Sequence, residues 1–435
     1  MPSCQQRNGC ALSALHGNYG IRPGALPWAV LGRPFRPFIC MAALPEKLMT
    51  PIEITARLKA EVLDPMKRDF VHKDEVIDLL GVGLVGGENL FILGPPGTAK
   101  SALVHQLAAR MEGRTFDYLL TRFTEPNELF GPFDIRKLRE GELLTNTEGM
   151  LPEASLVFLD ELLNANSAIL NSLLVALNER VFRRGKETRP LAALMFVGAS
   201  NHLPEDDALN ALFDRFLLRV HCDNVPGERL PDVLLAGWNL ANNRTKKSSL
   251  HFDALREAQA ALGQVELAGV RQPFTELVHR IRHAGIPVSD RRAVKLQRVI
   301  AASALLAGRT EARLSDLWVV RHIWETEEQQ EVLASLVDHV VARQAPAPED
   351  HPRAFAANGP DVESLARDLE AIATVLANGT NGSDGKPGTA LPGVEKAYLR
   401  DRLGILEGRC QWVKDTTKRD WLVKRAGELW PSLKA

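Results

Sequence analysis

Short apolar runs bounded by polar residues recur along the first half of the chain. Runs of this kind predict buried strands of a parallel sheet. Runs of this kind fall at 90–93, 155–161, 194–201 and 217–220, and residues 116–120 are a further candidate strand. Apolar residues at helical spacing precede the first strand, in one stripe from Ile54 to Leu63 and another from Val76 to Val85. The predicted fold class is therefore α/β, with a parallel sheet core flanked by helices.

Beyond Pro226 the strand pattern fades and the apolar periodicity is helical as far as about Gln344, which predicts an all-α lid. Ser289 precedes one of these helices and is expected to cap it. A proline-rich linker and further helical stretches follow. The predicted organisation is a disordered tail at 1–45, an α/β core at 46–225, a lid at 226–344, a linker at 345–360 and a C-terminal helical region at 361–435 with a disordered loop near 378–392.

The first 45 residues carry prolines and glycines that interrupt any regular period. They also lack the apolar core that follows the basic start of a signal peptide. The simplest prediction is a disordered tail. An alternative is that Met41 or Met49 is the true start and the preceding residues are a gene-model extension.

Composition places the chain among ordinary soluble proteins, with 45% hydrophobic and 25% charged residues. Its 435 residues exceed the usual size of a single core, so two or three domains are expected. The net charge of −1 gives no overall attraction to nucleic acid or membrane, and no apolar run has the ~18 residues that span a bilayer. Five cysteines without a CxxC pair favour a reducing cytoplasm over a disulfide framework.

A glycine-bearing segment follows the first predicted strand and precedes a predicted helix. It consists of Gly94, Pro95, Pro96, Gly97, Thr98, Ala99, Lys100 and Ser101. This order is typical of a phosphate-binding loop, in which backbone N–H groups and the helix N-terminus hold anionic oxygens. We expect Lys100 to reach the β- and γ-phosphates and Ser101 to offer its hydroxyl to Mg²⁺. Ala99 departs from the general pattern, which has glycine there, but a methyl group is small and tolerable at a helix start.

Two adjacent carboxylates, Asp160 and Glu161, end the third predicted strand. Ligands of open α/β sheets lie at the carboxyl ends of the strands. Asp160 is expected to hold the Mg²⁺ shell through water, and Glu161 to polarise a water for attack on the γ-phosphate. The alternative is a solvated acidic turn after a core strand.

Three further polar residues are candidates for the same chemistry. Asn201 ends the fourth predicted strand and could bond both the attacking water and a γ-phosphate oxygen. Arg215 is a candidate for a cation delivered to the γ-phosphate of a neighbouring subunit, the alternative being a surface ion pair with Asp214 or Glu228. Arg291 is expected to point from the lid to the nucleotide while Arg292 faces solvent, although the roles of this pair remain open.

With these residues in place, residues 52–345 resemble an AAA+ ATPase of the MoxR family, in its RavA-like branch. The resemblance rests on the phosphate loop with its Ala-Lys pair and on the segments 130–132, 149–154, 177–180 and 198–204. It implies that Asn201 is the sensor-1 residue, Arg215 the arginine finger and Arg291 the sensor-2 residue. It also implies ATP and Mg²⁺ as cofactors.

The same resemblance implies a homo-oligomeric ring, commonly a hexamer, with ATP between subunits. It further implies a partner with a von Willebrand factor A domain and a chaperone-like role in remodelling client proteins or inserting metal cofactors. The client is not specified by the sequence. Two alternatives stay open: a motor stimulated by nucleic acid, and a nucleotide-dependent assembly scaffold without hydrolysis.

Two local patterns predict surfaces that could meet a partner. Residues 181–186 are expected to form a small hairpin with a basic tip, for which a solvated turn is the simpler interpretation. The last helices carry Trp412, Trp421 and Trp430 among basic residues, a combination that can bind nucleic acid. Interspersed acidic residues favour instead an amphipathic bundle with a solvated face.

Overall fold

The computed structural model describes residues 49–184, 186–204, 206–242, 248–355, 362–380, 393–410 and 416–434. The predicted N-terminal tail lies outside these ranges, as do residues 381–392 of the predicted loop and residues 356–360 of the predicted linker. Helix α14, Val362–Thr380, continues into the range that was predicted to be a loop.

Five parallel strands form the central sheet in the order β2-β3-β6-β1-β7, and a separate antiparallel pair, β4 and β5, forms the hairpin predicted after Arg180. The strands are β1 Leu90–Leu93, β2 Thr115–Leu119, β3 Leu156–Asp160, β4 Val181–Arg184, β5 Glu187–Pro190, β6 Met195–Ser200 and β7 Leu218–His221. Every residue of β1 and β6 is buried, because their continuous apolar runs have helices on both faces. The predicted parallel α/β sheet is therefore confirmed.

Helices surround the sheet, and loops connect them. The helices are α1 Pro51–Arg57, α2 Asp64–Asp69, α3 Asp74–Gly86, α4 Lys100–Arg110, α5 Pro126–Phe130, α6 Ile135–Arg139, α7 Ser167–Glu179, α8 Asp207–Phe213, α9 Leu230–Asn242, α10 Phe252–Ala261, α11 Ala268–His283, α12 Asp290–Leu306, α13 Gln329–Val341, α14, α15 Gly393–Cys410 and α16 Thr416–Lys434. A π-helical stretch, Leu58–Leu63, joins α1 to α2. The predicted cap at Ser289 is confirmed, since its side chain accepts a hydrogen bond from the N–H of Arg292 at 3.2 Å.

Helix α12 anchors the helical region against the core by lying along α3. Lys295 Nζ donates to Glu88 Oε2 at 2.7 Å, and Arg298 Nε donates to the carbonyl of Gly86 at 3.3 Å. Glu88 and Gly86 lie just before β1, so α12 reaches the amino end of the sheet. The position of this helix decides where the predicted lid arginines lie.

Helices α14, α15 and α16 pack on one another around an apolar core of their own, which includes Leu369, Leu403 and Leu422. Trp430 Nε1 donates to Glu407 Oε2 at 2.7 Å, and Arg425 pairs with Glu370 at 2.9 Å. The described part of this region therefore has the character of an amphipathic bundle with paired surface charges. Trp412 lies outside the described residues.

Candidate nucleotide site at the carboxyl edge of the sheet

The segment between β1 and α4 turns tightly beneath the end of β7. Gly94 donates its N–H to the carbonyl of Ser200 at 3.1 Å. A Cβ atom on Gly94 would lie 2.3 Å from the carbonyl oxygen of Cys222, so only glycine fits there. Gly97 has φ +82°, and a Cβ on it would meet nothing within 4 Å. The loop is therefore tight at its base and open at its tip.

Ala99 adopts a left-handed conformation, with φ 72° and ψ 22°, directly before α4. The sequence indicated that a methyl group is tolerable at this helix start, but it gave no sign of the left-handed backbone. An L-residue other than glycine pays about 1–2 kcal/mol for this conformation because its Cβ approaches the following carbonyl. Such strain is concentrated at functional sites in many proteins.

The Lys100 side chain is buried and folded over its own loop. Its Nζ donates to the carbonyl oxygens of Gly94, at 2.7 Å, and Pro95, at 2.9 Å. Thr98 Oγ1 also donates to the carbonyl of Pro95, at 2.9 Å. The ammonium group thus lies inside the loop, where an anion held by the backbone N–H groups would meet it.

Ser101 and Asp160 face each other across this edge. Ser101 Oγ donates to Asp160 Oδ2 at 2.6 Å, and the other carboxylate oxygen accepts the N–H of Glu161 at 2.9 Å. Glu161 has φ 49° and ψ 44°, a second left-handed residue that is not glycine. The turn re-aims the chain after β3 and leaves the Glu161 side chain partly exposed.

Asn201 follows the β6 residue whose carbonyl accepts the Gly94 N–H, and its side chain is exposed. The structure therefore brings the loop, Asp160, Glu161 and Asn201 to one edge of the sheet. This grouping follows from the adjacency of β3, β6 and β1, whose carboxyl ends point the same way.

Arg215 lies at the opposite end of the sheet. Its carbonyl accepts the Asn89 side-chain amide at 3.0 Å, and Asn89 immediately precedes β1. Its guanidinium forms the ion pair with Asp214, at 3.1 Å, that was considered as the simpler alternative. The four residues of β1 separate this end from the phosphate loop by about 13 Å.

Arg291 is also distant from the loop of its own chain. It donates to Asn178 Oδ1, in the last turn of α7, and the next turn carries Arg180, which donates to Asn89 Oδ1 at 2.8 Å. Asn89 again marks the amino end of β1. The structure thus places Arg291 and Arg215 at the same end of the sheet, opposite the loop.

The expectation that Arg292 faces solvent is wrong. Its side chain is buried, donates to the carbonyl of Ile323 at 2.8 Å and pairs with Glu325. The packing of α12 along α3 and the core sets which of its residues face inward, and Arg292 is one of them. Helical geometry shows from the sequence alone that Arg291 and Arg292, as neighbours, face different directions. It does not show which of the two faces the core.

Arg219 in β7 is fully buried and was missed by the sequence reasoning. It donates to the carbonyls of Phe213, at 3.2 Å, and Trp324, at 2.6 Å, and its guanidinium lies 4.1 Å from the centre of the Phe213 ring. Burial lowers the pKa of Arg219 to about 9. An arginine inside an apolar strand was the signal that could have identified it.

A cleft of about 470 Å³ opens between the end of α2 and helix α9. Its lining includes Val71, His72, Leu235, Ala236 and Asn239. It was not predicted, because its two walls are far apart in sequence. Lys73, the chain neighbour of the lining residues His72 and Asp74, donates from Nζ to the carbonyl of Asp223. The preceding residue, Cys222, has its Sγ 3.2 Å from the carbonyl oxygen of Thr98 in the loop.

The oxygen donors at this edge of the sheet are of the kind that hold Mg²⁺ in nucleotide-binding sites. Such sites use one or two carboxylates, a hydroxyl, water and phosphate oxygens rather than a cage of protein ligands. Ser101 and Asp160 supply a hydroxyl and a carboxylate. Within the described ranges, no group of three or more His, Cys, Asp or Glu residues is arranged to hold a metal ion.

Among the described helices, none combines the length and the apolar character that a membrane span requires.

Comparison with known proteins agrees with this architecture. The sequence profile described as "MoxR domain in the MoxR-vWA-beta-propeller ternary systems" matches residues 56–260, and that of an AAA lid domain matches residues 267–337. The crystal structure of a candidate ATPase from Cytophaga hutchinsonii has a TM-score of 0.55 at 20% identity, over 68% of this chain and 96% of that chain. The fold and the phosphate loop define a protein of the AAA+ class.

Relatives in sequence narrow the class. Two uncharacterized proteins of Methanocaldococcus jannaschii are each 32% identical, over 67% and 62% of this chain and 77% and 72% of their own lengths. The chaperone MoxR1 of Mycobacterium tuberculosis is 28% identical over 36% of this chain and 42% of that protein. The chain belongs to the MoxR family of AAA+ ATPases.

Proposed function

We propose that this protein is a Mg²⁺-dependent ATPase. The observation that carries the proposal is the 2.6 Å contact of Ser101 Oγ with Asp160 Oδ2 beside the phosphate loop. The Lys100 ammonium group lies inside this loop, where it donates to the carbonyl of Gly94. Mg²⁺ bound at this edge would offset the negative charge of the phosphates. Lys100 positions the phosphates, and Ser101 and Asp160 hold the metal, Asp160 through water.

Glu161 and Asn201 are the residues proposed to act on the attacking water. Glu161 is partly exposed at the end of β3, where it can accept a proton or orient a water molecule. Asn201 is exposed at the end of β6. This strand lies between β3, which leads to Glu161, and β1, which leads to the phosphate loop. The Asn201 amide can donate to a phosphate oxygen while its carbonyl oxygen accepts from the water.

The cleft beside the loop is proposed to receive the base and ribose of ATP. It has apolar walls at Val71, Leu235 and Ala236, an amide at Asn239, and charged side chains at Lys67, Arg68, Asp74, Arg229 and Asp232. Most ligand pockets combine such apolar walls with a few polar groups that fix orientation. The contacts of Lys73 with Asp223 and of Cys222 with Thr98 support a position of the cleft near the loop that would hold the phosphates.

The site is proposed to be completed by a neighbouring subunit of a ring, commonly a hexamer in this family. Arg215 and Arg291 lie at the end of the sheet opposite the loop, so a role for either at a γ-phosphate requires a second copy. This revises the expected role of Arg291, from a sensor of its own nucleotide to a residue offered to the neighbour. A heterologous contact of this kind closes into a ring when its rotation permits.

Helix α9 supports assembly with an apolar stripe that no described element covers. Leu230, Leu234 and Trp238 recur at every fourth position and are 51%, 66% and 72% exposed. The opposite side of the same helix lines the cleft, through Ala236 and Asn239. Monomeric proteins rarely leave such a face in water. Its place beside the cleft is where a neighbour that completes the site would arrive.

The cellular role proposed is chaperone-like remodelling of a client or insertion of a metal cofactor, as in the RavA-like branch. Supporting this are the match to a MoxR domain of MoxR-vWA-beta-propeller systems and the similarity to the chaperone MoxR1. The same match supports a partner with a von Willebrand factor A domain.

The Glu161→Gln variant tests the proposal. It should bind ATP as the wild type does and release phosphate roughly 10²–10³-fold more slowly, since it lacks the carboxylate that acts on water. Glu148→Gln is the matched control. Glu148 is exposed and lies in the chain before β3, and this variant should keep the full rate. An undiminished rate in Glu161→Gln would refute the catalytic assignment.

A further inference from the structure

Arg215 belongs to a cluster of charged residues in which cations outnumber anions. We define this arginine cluster as Arg215, Arg219 and Arg292 with the carboxylates Asp214 and Glu325. Asp214 Oδ2 lies 3.1 Å from Arg215 Nη1, and its Oδ1 lies 3.9 Å from Arg292 Nη1. Asp214 is thus shared between the candidate arginine finger and an arginine of the helical region.

Two of the three guanidinium groups are fixed in place. Arg219 and Arg292 are buried, and both donate to the carbonyl of Ile323, at 3.1 Å and 2.8 Å. Arg292 also pairs with Glu325. The charged groups that face Arg219 are Arg292, Glu325 and Asp214. These two arginines therefore serve as a scaffold that cannot reach another molecule.

Arg215 is held much less firmly. Its side chain is 29% exposed and its guanidinium contacts one carboxylate, that of Asp214. Among the described residues, its buried Nε has no hydrogen-bond partner. When Arg215 moves to an outside anion, Asp214 keeps a positive neighbour in Arg292, so little charge is left uncompensated.

The location of Asp214 argues against a purely structural purpose. It is the C-cap residue of α8, where the helix dipole disfavours an anion. Its carboxylate is therefore explained by the arginines around it and not by the stability of α8.

We propose that Asp214 is a positioning residue that holds Arg215 ready for the neighbouring subunit, and that the pair of the buried Arg292 with the partly exposed Glu325 sets the strength of that hold. The inference rests on the proposed inter-subunit ATPase. It connects the helical region, through α12, to the residue offered to the neighbour. Movement of α12 would change how tightly Asp214 holds Arg215.

A mixture of two inactive variants tests this directly. Glu161→Gln subunits keep Arg215 and act as donors, and Arg215→Ala subunits keep Glu161 and act as acceptors. Mixed assemblies contain interfaces with both residues, so hydrolysis recovers. Asp214→Asn added to the donor should lower the recovered rate by about tenfold, since misplaced catalytic groups cost this much or more. The same change in the acceptor, which has no Arg215 to hold, should leave the recovered rate unchanged.

Further readouts separate positioning from a structural effect. In an otherwise wild-type chain, Asp214→Asn should lower kcat and leave KM for ATP within about twofold, because Arg215 acts in the transition state of another subunit. Asp214→Glu, which restores the carboxylate, should recover most of the rate. If Asp214→Asn lowered the recovered rate equally in the donor and in the acceptor, or in neither, the role of Asp214 would be refuted. The inter-subunit site would still stand. Failure of the unsubstituted mixture to recover any activity would instead contradict the inter-subunit site, and the inference with it.

Discussion

The Ser101 hydroxyl and the Asp160 carboxylate meet at 2.6 Å although 59 residues separate them. Ser101 lies in the first turn of α4, after β1, and Asp160 ends β3, which is separated from β1 by β6. Parallel strands make this meeting possible because their carboxyl ends share one edge. The pair is thus a consequence of sheet order, and its two oxygens are of the kind that Mg²⁺ prefers.

Loss of the Ser101 hydroxyl should weaken the proposed metal site. Ser101→Ala should raise the Mg²⁺ concentration needed for half-maximal ATP hydrolysis by about tenfold or more, since one oxygen ligand disappears. Ser101→Thr keeps the hydroxyl and is the matched control. Titration of phosphate release with Mg²⁺ makes the measurement, and identical curves for the alanine and wild-type proteins would remove Ser101 from the metal site.

Ala99 makes a prediction about stability. Ala99→Gly should raise the free energy of unfolding by up to about 1 kcal/mol, because glycine adopts positive φ without strain. Ala108→Gly, in the interior of α4, should lower it by about 1 kcal/mol. Denaturant unfolding of both variants checks the opposite signs. Destabilisation by both changes would show that Ala99 is not strained.

Two buried histidines predict destabilisation by acid. His351 stacks on Trp318 at 4.7 Å between ring centres, and His322 meets the same indole edge-on at 5.6 Å. Burial lowers the pKa of each from 6.5 to about 4. The unfolded chain therefore binds protons more readily, so stability is full above about pH 6.5 and falls as the pH decreases towards 4.

The urea midpoint, followed by tryptophan fluorescence across this pH range, measures the effect. His351→Gln should flatten the dependence, since glutamine can still accept the N–H of Arg353 that His351 Nδ1 accepts at 3.2 Å. His279→Gln, at an exposed position, is the control and should leave the slope unchanged. An unchanged slope in His351→Gln would show that this histidine does not titrate with unfolding.

The stripe on α9 predicts the behaviour of the assembly. Leu234→Glu should dissociate it and lower the hydrolysis rate per subunit, because a charge at the centre of an apolar contact is costly to bury. Val375→Glu, at a 38% exposed position of α14, should leave the assembly intact. Light scattering after gel filtration gives the mass. An unaltered mass for Leu234→Glu would place the interface elsewhere.

The sequence predicts the strands well because continuous apolar runs between polar residues have few other uses. A local rule also finds the cap at Ser289, whose side chain accepts the N–H of Arg292. Neither rule reports backbone strain, so the left-handed Ala99 and Glu161 were not foreseen. The inward turn of Arg292 depends on how α12 packs against the core, which no local pattern encodes.

The central claim is that one nucleotide site is made by two subunits. The most direct measurement is ATP hydrolysis by a mixture of Glu161→Gln and Arg215→Ala subunits, each nearly inactive alone. Statistical mixing at equal amounts should give about a quarter of the interfaces both residues, and hence a similar fraction of the wild-type rate. A mixture no more active than its separate components would contradict the claim.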